Sequence, residues 1–74
     1  MTNNLLRQKD IALGKRVQRL RKQSGKSQEE VAERTRLTQT YISLLETGKR
    51  RASMKTLEKI ASAIGTKVRD LLPY

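Results

Sequence analysis

From Ser27 to Gly48 the chain reads SQEEVAERTRLTQTYISLLETG, and this stretch decides the fold. Ser27 followed three residues later by Glu30 is a capping box: a hydroxyl that accepts from the first turn, and a carboxylate that reaches back to the cap. Acidic Glu29 and Glu30 suit the positive end of a helix dipole. Val31 and Ala32 face inward, and small Ala32 allows a neighbouring helix to approach closely. This helix ends near Thr35. Thr38 then caps a second helix, with Leu37 before it placed to staple onto Ile42. Ile42 and Leu45 continue the buried stripe until Gly48 stops it. Two short capped helices joined by a few residues cross steeply instead of lying antiparallel. The sequence therefore predicts a helix-turn-helix, with the start of its second helix facing outward.

Upstream, Leu13, Val17 and Leu20 recur at helical spacing, and Gly25 supplies the stop. Lys15, Arg16, Arg19 and Lys22 occupy the other faces and read as a solvated surface. Residues 1–10 lack a sustained period and read as a mobile arm or a frayed helix start, leaving 11–74 as the folded domain. Downstream of Gly48 comes the basic loop Lys49-Arg50-Arg51. Ser53 caps a fourth helix with Leu57, Ile60, Ala61 and Ile64 on one face, and Gly65 ends it. Val68, Leu71 and Leu72 form a last apolar turn before Pro73. Strand alternation is absent. The expected fold class is all-α, a compact bundle of about five short helices.

Charge and composition narrow the function. The 74 residues carry 17 Lys and Arg against 7 Asp and Glu, a formal charge of +10. That excess opposes compaction and points to a polyanionic partner. Nucleic acid and an anionic membrane surface are the two candidates. A membrane-surface module calls for one long amphipathic helix, whereas the apolar stripes here break into short capped units facing a common core. RNA recognition calls for stacking aromatics, and the chain has only Tyr41 and Tyr74. The absence of His and Cys removes the commonest general base, thiolate chemistry and the usual metal ligands. No enzyme activity, cofactor, metal or small-molecule substrate is expected. With no membrane-length apolar run and no signal-peptide core, the expected location is cytoplasmic, at the nucleoid.

The stretch Leu13–Leu72 resembles the phage-repressor, Cro-like class of helix-turn-helix domains, also called the xenobiotic-response-element type, whose fold is lambda-repressor-like. The resemblance rests on Arg21 after an apolar triplet, Ser27-Gln28-Glu29-Glu30-Val31-Ala32, Tyr41-Ile42-Ser43, Glu46-x-Gly48-Lys49-Arg50, and Leu57…Ile60-Ala61…Ile64-Gly65. No single piece is decisive, but together they are in order and correctly spaced. It implies five helices and a symmetric dimer on double-stranded operator DNA. By position, Gln39 becomes the first reading residue, able to bond adenine N6 and N7 together. Thr40 and Ser43 become further groove-facing residues, and Leu44 joins them at the edge. Gln28 touches phosphate and braces the reading residue. Thr38, Lys49, Arg50 and Arg51 become backbone contacts, Arg51 alternatively entering a narrowed minor groove. Tyr41 fits either half-buried packing or a phosphate hydrogen bond. Arg21 and Glu46 become a structural ion pair between the first and third helices. Val68, Leu71, Leu72 and Tyr74 complete the core or form a dimer seam.

The chain also departs from that pattern. Arg36 stands where the turn usually has Gly; either the turn differs, or a phosphate contact offsets the strain. Ala52 replaces a frequent proline, and Lys67 stands where a Ser or Asp cap is common, so the last helix is weakly specified. The function implied is a sequence-specific transcriptional regulator, a repressor or autoregulator, binding a palindromic operator as a homodimer through the major groove. The alternatives are a controller protein of a restriction–modification system, an operon-autoregulating antitoxin, or, in a different class, a nonspecific nucleic-acid or protein interaction module.

Overall fold

In the computed structural model, which describes residues 3–73, the chain is all helical. The order is α1 (Asn3–Gln23), α2 (Gln28–Thr35), α3 (Gln39–Glu46), α4 (Met54–Ile64) and α5 (Val68–Leu71). Helix α1 packs on α3 and α5, α2 on α3 and α4, and α4 on α5. One aliphatic core results, with Val17, Val31, Ile42, Leu45, Ile60 and Leu71 wholly sealed from solvent.

The helix starts follow from local chemistry. The Ser27 hydroxyl accepts from the Glu30 N–H while the Glu30 carboxylate accepts from the Ser27 N–H, both at 3.0 Å. The second of these bonds is the main reason the Glu30 carboxyl lies below the usual carboxylate range. The Thr38 hydroxyl accepts from Tyr41 N–H at 3.0 Å, and that of Ser53 from Thr56 N–H at 3.1 Å. Leu37 packs partly buried against the core that holds Ile42, as a staple requires.

Helix α1 is longer than its apolar spacing indicates, with 21 residues starting at Asn3. Nothing between Asn3 and Leu13 stops a helix: the segment contains neither Gly nor Pro. A second unforeseen feature lies further along α1. A Cβ on Gly14 would collide with the backbone of Leu45 and come within 2.7 Å of the Glu46 carbonyl oxygen. This glycine is a notch in α1 that seats the end of α3.

The turn between α2 and α3 keeps its left-handed shape despite lacking glycine. Arg36 has φ 61° and ψ 30°. The Leu37 N–H donates to the Ala32 carbonyl at 3.0 Å and the Arg36 N–H to Glu33 at 3.3 Å, closing α2 in a Schellman pattern. A side chain in this conformation costs on the order of 1–2 kcal/mol. Thr35, buried beside it, satisfies its hydroxyl on the Val31 and Ala32 carbonyls.

Helix α5 is held by three hydrogen bonds, two local and one from α1. With Lys67 at the cap position, the Asp70 carboxylate accepts from the Lys67 N–H at 3.2 Å and the Thr66 hydroxyl at 2.8 Å. The Thr66 bond leads in keeping the Asp70 carboxyl below its ordinary value. Arg16, read from sequence as solvated, is half-buried and donates to the Asp70 carbonyl at 2.7 Å.

Candidate nucleic-acid interface

The outward face of the helix-turn-helix is built on a buried polar junction. Arg21 projects from α1 and Glu46 from the end of α3. Its Nε donates to one carboxylate oxygen at 2.6 Å and Nη2 to the other at 3.0 Å. Arg21 Nη1 donates to the Lys26 carbonyl at 2.8 Å, and Gln28 Nε2 donates to Glu46 Oε1 at 2.9 Å. Three helices therefore meet at one carboxylate, and Arg21 ties in the loop before α2 through the Lys26 carbonyl. Among the described residues no buried side-chain nitrogen or oxygen lacks a partner. Burial on these terms is tolerable because each charge is paired and fully hydrogen-bonded. The bond from Gln28 was not readable from its position in the motif.

Above this junction Gln28, Gln39, Thr40, Ser43 and Leu44 line one shallow cleft. Gln39 and Thr40 are exposed, and Ser43 and Leu44 are half-buried. Behind them Ile42 and Leu45 have no solvent exposure. The start of α3 is thus presented to solvent and pressed from behind by aliphatic side chains. Free N–H groups of its first turn and the positive end of its dipole add an anion-favouring field.

The loop after α3 carries exposed Lys49, Arg50 and Arg51. Tyr41 pins it from α3 in two ways. The Tyr41 hydroxyl donates to the Arg51 carbonyl at 3.0 Å, and the Arg50 guanidinium lies over the ring, 5.3 Å from its centre. Half-buried and bonded to Arg51, Tyr41 packs and braces the loop in the unbound chain. Arg51 Nε also donates to Asp10 of α1 at 3.2 Å, a pair formed across 41 positions that no local spacing foretells.

One further reading is revised by burial. Leu71 is wholly enclosed in the chain's own core and is not available to a dimer seam, because α5 lies across α1 and α4. Val68 and Leu72 pack against that core but remain half-exposed. Tyr74 lies outside the described residues. Arg36 is exposed but lines a different cleft from Gln28 and Gln39. Among the described residues no helix is long and apolar enough to cross a membrane.

Comparison with known proteins places this geometry. A family model described as helix-turn-helix matches residues 17–71. The control protein C.BamHI of Bacillus amyloliquefaciens is 39% identical over 75 aligned residues, spanning all of this chain and 88% of that protein. The control protein C.MunI of a Mycoplasma species is 39% identical over 62, covering 82% of this chain and 84% of its own length. The crystal structure of the restriction–modification controller protein C.AhdI from Aeromonas hydrophila superposes with a TM-score of 0.81 at 32% identity, covering 84% of this chain and 94% of that one. This chain belongs to the helix-turn-helix family of DNA-binding regulators, in the Cro-like class its sequence resembles.

Proposed function

We propose that the chain is a transcriptional regulator that reads a palindromic operator as a homodimer, inserting the start of α3 into the major groove. The observation that carries the reading is the exposure of Gln39 and Thr40 at the mouth of a helix whose back, Ile42 and Leu45, is sealed in the core. Gln39, Thr40, Ser43 and Leu44 face base edges. A glutamine at the first reading position suits adenine, and the neighbours suit thymine methyls. Gln28, Thr38, Lys49, Arg50 and Arg51 grip the backbone, which fixes register without reading sequence. Arg51 has donors left for phosphate, since Asp10 takes only its Nε.

Val68 and Leu72 are assigned to the surface that meets the second copy. Two reading helices about 34 Å apart then enter successive grooves on one DNA face. Such a protein resides at the nucleoid. Within this class the controller reading is favoured, because control proteins match this chain along most of their own length as well as its own. Selecting bound sequences from a random duplex pool tests the proposal. A symmetric site whose half-sites contain adenine at the position sensitive to Gln39 supports it. Enrichment of no sequence overturns it.

A further inference from the structure

We propose that the cleft between the end of α2 and the outer face of α4 is a docking site for an acidic protein segment, separate from the surface that reads DNA. Arg34, Arg36, Lys55 and Lys59 surround this open cleft of about 730 Å³, with Glu58 as the one carboxylate among them. All five are exposed, and none of the four cations makes a side-chain hydrogen bond or ion pair with another described residue. Arg34 acts on the Glu30 carboxylate one turn back, but the cleft still gathers four positive charges against one carboxylate, and an anion brought among them relieves their repulsion.

The second observation is the backbone of Arg36. It holds the left-handed conformation that glycine adopts freely, while its side chain satisfies nothing within the molecule. Backbone hydrogen bonds close the turn as they would for glycine, but nothing in the fold uses the arginine side chain, and a contact outside it accounts for arginine at this position.

Two features favour a protein segment over nucleic acid. The cleft shares no residue with the one formed by Gln28, Gln39, Thr40, Ser43 and Leu44, and it lies at the opposite end of α2 from Gln28. Glu58 also sits within it. A phosphate track is uniformly anionic and would meet that carboxylate with repulsion, whereas a peptide can set a donor opposite Glu58 and its own carboxylates opposite the cations.

The test uses the whole chain, first saturated with a DNA duplex, and a short oligoglutamate peptide as probe, followed by backbone amide shifts. Saturable shifts centred on residues 34–36 and 55–59 are expected with DNA still bound. Arg36→Gly and Lys59→Ala should each weaken the peptide about two- to fivefold, the scale of an exposed ion pair. Arg36→Gly should leave the melting temperature unchanged or raise it by a few degrees, because it relieves the left-handed strain. Three results overturn the proposal. One is the absence of saturable shifts in the cleft, or shifts confined to residues 49–51. Another is a duplex-binding salt slope that falls by about one for each of these cations removed, which assigns the cleft to phosphates. The third is a lower melting temperature for Arg36→Gly, which makes Arg36 a structural residue.

Discussion

Arg21 and Glu46 face each other through two hydrogen bonds with side-chain exposures of only 8% and 0%. Glu46→Ala leaves a guanidinium buried without its counter-charge, and a loss of about 3–5 kcal/mol is expected. For a domain this small that approaches the whole stability. Replacing both partners with apolar residues of similar size, Arg21→Met with Glu46→Leu, should recover most of it in urea denaturation. A double variant no more stable than Glu46→Ala would show that the pair does more than neutralise itself.

Gln39 offers the sharpest test of reading. Gln39→Ala should weaken the selected duplex by about 1–3 kcal/mol and leave random duplex nearly untouched. Lys49→Ala should weaken both alike and reduce the salt slope by about one. Titrations at two salt concentrations separate the two behaviours. If Gln39→Ala weakened all sequences equally, its assignment to base edges would be wrong.

Gly14→Ala sets two effects against each other. Alanine improves intrinsic helix propensity by about 1 kcal/mol, but its methyl would strike the backbone at the end of α3. Backbone cannot rotate aside as a side chain can, so a net loss of about 1–3 kcal/mol is expected. Thermal unfolding decides the sign.

Tyr41→Phe removes only the hydroxyl that donates to the Arg51 carbonyl. A stability loss of about 0.5–1.5 kcal/mol is expected, with duplex affinity at fixed salt unchanged. A weaker affinity for selected and random duplex alike would return that hydroxyl to a phosphate.

Acid should loosen the caps first. Glu30 and Asp70 both titrate below their ordinary values when folded, so each stabilises the fold above its unfolded pKa and loses that contribution as pH falls through the folded one. The melting temperature should therefore hold from neutrality to about pH 5 and drop below about pH 4, the ordinary carboxylate range. The double variant Glu30→Gln, Asp70→Asn should flatten the drop.

Local chemistry was the readable part of this molecule. Ser27, Thr38 and Ser53 announced their helices because each cap is completed within three residues. The stripes of α2, α3 and α4 were equally plain. What the sequence concealed depends on tertiary placement. Arg16 meets the Asp70 carbonyl across 54 positions and Arg51 meets Asp10 across 41, and many other surface charges had the same formal claim to those partners. Leu71 could be assigned to core or seam only once α5 was placed over α1. Gly14 did carry a signal: a glycine inside a helical stripe marks close backbone approach when the helix persists through it.

The buried junction beneath the reading helix divides the outward residues into two kinds. Gln39 and Thr40 make no side-chain bond to the scaffold, so under the proposed base-reading role a lineage can exchange them and acquire a new target while the architecture stands unchanged. Gln28 is tied to Glu46, and any substitute there must also complete the junction. On the proposed reading, the pair that meets base edges is free to drift while the backbone contact beside it is anchored.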